Sequence, residues 1–301
     1  MSQLHKRKKL SEDFIKELAE MSAGYISPEA FENLVSAFQD EMNSGFNSHS
    51  VESNLLRIIH GMYDKVSFFN DCINYPHYTG ILAAIAANSN YMTDILVRNP
   101  EYFYWVVNPS NHRLKLEEVE LKAAVKNTIS AFKSFGAKIN ALRSVKRKEI
   151  LMIGVKDIFL NQPLEEITAE LSILARTISS QLFDLCYEEI LNKHNIQFPD
   201  RKYAIMALGK LGGNELNYSS DIDLMIFYDE DETTVINSGS SVKTKKTYQE
   251  ILIEAIYLFI ESATLITGAG YIYRVDFRLR PDGRNSLLTR SVSYYLNYYE
   301  G

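Results

Sequence analysis

The 301 residues predict an α+β chain: an α-helical domain over residues 1–195, then a mixed sheet with flanking helices over 196–301. Three observations carry this. Apolar residues recur at steps of three and four, with few glycines, over residues 10–193. Short apolar runs bounded by glycine, serine and aspartate follow at 203–208, 222–228 and 271–279. Between the second and third runs lies one helical stretch, 247–267, closed by Gly268-Ala269-Gly270.

The elements follow in chain order. The start, with Lys6-Arg7-Lys8-Lys9, is basic but has no apolar segment after it, so it does not read as a secretory signal. Ser27-Pro28 opens a helix, serine as the cap and proline in the first turn. Breaks at Pro76, Pro100, Pro109 and Pro163 divide the first domain into roughly six to nine helices. In the last of these, Leu164, Ile167, Leu171, Leu174, Ile178, Leu182 and Leu185 share one face. Residues 195–200 read as a linker, and the polar stretch 229–241 as a mobile loop.

Composition narrows the function classes. At 46% hydrophobic and 23% charged, the chain has apolar material for a core. A net charge of -6 argues against nucleic acid as a partner. No run of about 18 apolar residues occurs, so no membrane association is expected. Cys72 and Cys186 are far apart and form no CxxC pair, which speaks against a disulfide framework or structural zinc and for a reducing, cytoplasmic setting.

The chemistry concentrates in Gly209-Lys210-Leu211-Gly212-Gly213-Asn214-Glu215-Leu216-Asn217-Tyr218-Ser219-Ser220-Asp221-Ile222-Asp223-Leu224. Side chains alternate along a strand, so Asp221 and Asp223 are expected on one face, about 7 Å apart at Cα, with Ile222, Leu224 and Ile226 turned to a core. Two neighbouring carboxylates resist joint ionisation, and a divalent cation relieves that conflict. Upstream, Gly212 and Gly213 lack Cβ atoms, which would let backbone N–H groups approach phosphate oxygens, and Ser219 and Ser220 would add hydroxyl donors. Gly209-Lys210 is no Walker A loop, since no serine or threonine follows the lysine. Asp221-Ile222-Asp223 is no calcium loop, since the turn glycine and the later glutamate are missing.

A third acidic group stands in Tyr273-Arg274-Val275-Asp276-Phe277-Arg278-Leu279-Arg280-Pro281. The alternation predicts Tyr273, Val275, Phe277 and Leu279 in the core, with Arg274, Asp276, Arg278 and Arg280 on the other face. Asp276 would then join Asp221 and Asp223 as a metal ligand or general base, and the arginines would neutralise phosphate charge. Such a set suits nucleotidyl transfer, in which two metals about 3.5–4 Å apart stabilise the attacking and leaving oxygens.

Both stretches resemble the signatures of the glutamine synthetase adenylyltransferases, within the DNA polymerase beta-like nucleotidyltransferase superfamily. Lys146-Arg147-Lys148-Glu149-Ile150-Leu151 resembles a third family segment. The likeness implies a polymerase beta-like sheet, with Mg²⁺ on Asp221, Asp223 and Asp276; Mn²⁺ suits the same oxygen ligands. Leu216 to Asp221 and Arg274-Val275-Asp276 are most similar to the adenylyl-removing N-terminal half of that family. This implies phosphorolysis of AMP–tyrosine on glutamine synthetase with release of ADP, and/or the adenylylation of that tyrosine, control of nitrogen assimilation, ATP, ADP or phosphate as small substrates, and the PII signal protein as a further partner. The sequence ends at Tyr298-Tyr299-Glu300-Gly301, where the family continues into more helices, and it holds one copy of the signature against the family's two catalytic domains; a nucleotidyltransferase part cut short at its C-terminus, as in a gene fragment, and a single-site relative are both compatible with this. Two other readings stand beside this one: a non-catalytic module that binds glutamine synthetase or a signal protein, and an enzyme of the same chemistry with another substrate.

Overall fold

The structure, a computed structural model, describes residues 9–45, 50–196, 201–229, 235–236, 245–268, 270–281, 283 and 286–300. Eleven helices precede the sheet among these residues, against the six to nine read from the breaks. They are α1 (Glu12–Ser22), α2 (Pro28–Ser44), α3 (Val51–Gly61), α4 (Lys65–Asn74), α5 (Pro76–Asn88), α6 (Asn90–Arg98), α7 (Tyr102–Val106), α8 (Pro109–His112), α9 (Glu118–Ser130), α10 (Phe135–Ile158) and α11 (Leu164–Lys193). The rest is β1 (Tyr203–Leu208), α12 (Gly209–Gly212), β2 (Ile222–Tyr228), β3 (Val235–Ile236), β4 (Lys245–Lys246), α13 (Tyr248–Thr264), β5 (Val275–Asp276), β6 (Thr289–Ser291) and α14 (Val292–Glu300). The basic start and most of the 229–241 loop lie outside the described residues.

Packing divides the chain into two compact units, Met1–Leu114 with Lys148–Leu164, and Lys115–Arg147 with Glu165–Gly301. In the first unit, α2 starts as its sequence predicts: the Ser27 side chain accepts from Ala30 N–H, and Pro28 follows. α5 is buried without interruption from Thr79 to Ala86, the pattern of a helix enclosed on all sides.

In the second unit, α11 joins the sheet because its aromatic side chains pack there. Phe183 and Tyr187 each lie 5.0 Å, centroid to centroid, from Tyr203 on β1. Ile167, Leu171, Leu174, Ile178, Leu182 and Leu185 are buried as expected, while Leu164 is 68% exposed. α13 packs beside it, with Tyr248 against Tyr228 on β2 and Phe259 against Phe183 on α11. A reciprocal capping box between Thr247 and Glu250 sets where α13 begins.

β2 is the centre of the sheet. β1 pairs with it antiparallel over its length, from Tyr203↔Tyr228 to Leu208↔Asp223. Its other edge is shared by two short parallel strands: β5 beside Ile222 and Asp223, and β6 beside Ile226, Phe227 and Tyr228. Ile222, Leu224 and Ile226 are buried, as the alternation predicts. The third strand differs from expectation. Only Val275 and Asp276 pair, the chain turns after Phe277, and Leu279 is 54% exposed rather than in the core.

Candidate active site

The site is built where β1, β2 and β5 meet. Asp223 lies directly across from Asp276 in parallel register. Neighbouring strands are about 4.8 Å apart, so the two carboxylates leave adjacent backbones side by side. Burial raises the Asp223 carboxyl above its ordinary range; the charges of Asp276 and then Asp221 raise it further, and Arg278 opposes them. The three carboxylates named from sequence therefore share one electrostatic neighbourhood.

Two arginines complete it. Arg274 donates from Nε to Asp221 Oδ1 at 2.5 Å and from Nη2 to the Ser219 carbonyl at 2.7 Å. Arg278 donates from its backbone N–H to Asp276 Oδ1 at 2.7 Å and from Nε to Asp276 Oδ2 at 2.6 Å. The Asp276 side chain is 13% exposed and that of Arg278 58%. Both guanidinium groups thus hold a carboxylate while remaining open to a ligand. Arg280 departs from the expected stripe. It is buried, and its guanidinium donates to the carbonyls of Phe277, Ser286 and Leu287, fastening the loop after β5. The physical reason is the turn after Phe277, which ends the alternation that would have kept Arg280 beside Arg278.

The glycine turn also differs in detail. Gly209, outside the expected phosphate cradle of Gly212 and Gly213, is where a side chain is excluded. It adopts φ +54, and a Cβ there would stand 2.5 Å from Asp223 Oδ2. The signal was present as a glycine ending a buried strand, but the need arises from the Leu208↔Asp223 register on a neighbouring strand. Gly212 is required by packing, since its Cβ would meet the Ala207 carbonyl oxygen at 2.6 Å. The Gly213 N–H, expected to face a phosphate, donates within the turn to the Gly209 carbonyl at 2.9 Å. Ser219 and Ser220 lie in the approach to β2, where Ser219 contributes its carbonyl to Arg274. From the other side α11 holds the turn: Arg176 donates to Asn214 Oδ1, and Ser172 Oγ accepts from Leu216 N–H.

Among the described residues, no three His, Cys, Asp or Glu side chains form a ready-made ion cage. Arg274 and Arg278 draw Asp221 and Asp276 into ion pairs instead. The donor chemistry nonetheless fits a hard cation such as Mg²⁺, which takes one or two carboxylates and completes its shell with water and substrate phosphate.

A family model described as glutamate-ammonia ligase adenylyltransferase matches residues 79–301. The chain belongs to that family. Among curated relatives, the bifunctional glutamine synthetase adenylyltransferase/adenylyl-removing enzyme of Hahella chejuensis (strain KCTC 2396) is 30% identical over 168 residues, 54% of this chain and 17% of the relative. The enzyme of the same description from Idiomarina loihiensis (strain ATCC BAA-735 / DSM 15497 / L2-TR) is 25% identical over 250 residues, 81% of this chain and 26% of the relative. That of Brucella suis biovar 1 (strain 1330) is 28% identical over 227 residues, 73% and 22% respectively. The chain thus spans between about a sixth and a quarter of these adenylyltransferases. No helix of the described residues is long and apolar enough to cross a membrane.

Proposed function

We propose that the site transfers an adenylyl group on glutamine synthetase in the cytoplasm, working chiefly as the adenylyl-removing activity. The observation that carries this reading is the Asp223↔Asp276 register, two carboxylates presented together beside two exposed arginines. The similarity of the Leu216–Asp221 and Arg274–Asp276 segments to the removing half favours that direction. Asp223 and Asp276, with Asp221 beside them, would hold Mg²⁺ or Mn²⁺. The metal supplies Lewis-acid neutralisation of charge on the phosphate oxygens. Arg274 and Arg278 share that neutralisation through planar, bidentate donors. An orthophosphate oxygen attacks the α-phosphorus of the tyrosyl-AMP ester, the phosphorus–phenol oxygen bond breaks, ADP departs, and the tyrosine oxygen takes a proton. ATP and a PII-type signal protein belong to the same proposal as ligands of the wider system.

Incubation with adenylylated glutamine synthetase, phosphate and Mg²⁺ should release ADP and shift the mass of the target by one adenylyl group. Asp223→Asn should abolish release. A mutant as active as wild type would remove the site from consideration. The ion pairs on Asp221 and Asp276 favour a second reading, a non-catalytic module that docks on glutamine synthetase. Tight binding of the target with no ADP release under any metal would select it.

A further inference from the structure

β5 holds only two residues, too short a ladder to place Asp276 by its own hydrogen bonds. The segment before it is fastened from outside. Ile272 and Tyr273 N–H groups both donate to the Ala263 carbonyl at the end of α13, at 2.8 and 3.2 Å, and the Arg274 carbonyl accepts from Ile222 N–H at 2.9 Å. A further hold comes from α10. Arg143 donates to the Ser262 carbonyl at 3.1 Å, and Lys146, one turn further along the same face, is only 6% exposed. Its Nζ sits 4.3 Å from the centroid of the Tyr273 ring and 5.6 Å from that of Tyr271.

Lys146 is an unfavourable residue to bury for stability alone. No ion pair offsets its charge among the described residues, and burial pushes its ammonium down to about 8. A methionine would occupy a similar volume without that desolvation. What the ammonium supplies that methionine does not is a directional attraction to the two ring faces, which locks the tyrosines of the lead-in segment.

We propose that Lys146 is a positioning residue for Asp276: seated on the faces of Tyr273 and Tyr271, it fixes the segment that sets the Asp276 carboxylate beside Asp223. The structural half of this needs no activity; the consequence for turnover rests on the adenylyl-removing reading above.

The test uses the 301-residue chain with Lys146→Met, Lys146→Arg and Tyr273→Leu. Hydrogen–deuterium exchange is followed at the Ile222 amide and across residues 271–276. Lys146→Met should keep or raise the thermal midpoint while exchange there rises at least tenfold and exchange in α11 stays unchanged. The kcat for ADP release should fall at least tenfold with KM for phosphate unaltered, and Lys146→Arg should restore both readouts substantially. Tyr273→Leu should give the same exchange pattern from the other side of the contact, and stands in if Lys146→Met fails to fold. Wild-type exchange in the folded variants would overturn the proposal. So would raised exchange with unchanged kcat, because Asp276 would then not depend on the contact. A wild-type chain that releases no ADP would count against the functional reading alone, and exchange would still decide the role of Lys146.

Discussion

Asp223 is half-buried between two like charges, and its carboxyl is held above the ordinary carboxylate range, first by burial and then by Asp276 and Asp221. A folded-state pKa above the unfolded value adds stability at pH below the unfolded value, and that stability is lost as pH rises through the folded one. At neutral pH, then, the ionised Asp223 opposes folding. In metal-free buffer Asp223→Asn should leave the thermal midpoint unchanged or raise it, by roughly 2–4 °C for each kcal/mol relieved. A clear fall in the midpoint would show that the carboxylate is structural. Gly209 presents the opposite case. Gly209→Ala should destabilise by at least about 1–2 kcal/mol, from the left-handed backbone alone, in denaturant melts. It should also depress turnover, because the new methyl group displaces Asp223 Oδ2. The aspartates were legible in the sequence because alternation within one strand reveals them. Gly209 was not, because its constraint comes from the strand opposite.

At the scale of elements, β1 and β2 were legible with their bounds because each is a compact apolar run closed by a glycine or an acidic residue. β5 is far shorter than the alternation over 271–279 suggests. Residues 273–279 do alternate, yet a long strand needs a free edge, and β6 occupies the same β2 edge from Ile226 on. That competition involves residues far apart in sequence and leaves no local pattern. Arg280 follows from it. Arg280→Met should destabilise the fold by about 1–3 kcal/mol, since it leaves the carbonyls of Phe277, Ser286 and Leu287 without their donor, and should leave the KM for phosphate unchanged in the folded fraction. A raised KM with unaltered stability would return Arg280 to the ligand-binding group. The start of α13 makes a milder prediction: Thr247→Ala, which removes the capping box, should cost about 1 kcal/mol in the same melts.

Over the whole molecule, the change from helical to strand texture near residue 200 was visible, and with it the α+β class. The division into packed units was not. α11 reads as the last helix of a helical domain because an amphipathic face does not name its partner. Its Phe183 and Tyr187 in fact pack on Tyr203 of β1. That long-range aromatic packing joins α11 to the sheet that carries Asp223 to Asp276. Whether those two residues share one divalent cation is tested most directly by titrating Mn²⁺ into the chain and following free metal by electron paramagnetic resonance, with competition by Mg²⁺. Saturable Mn²⁺ binding, displaced by Mg²⁺ and weakened at least tenfold by either Asp223→Asn or Asp276→Asn, is the predicted result; binding unaffected by both substitutions would contradict it.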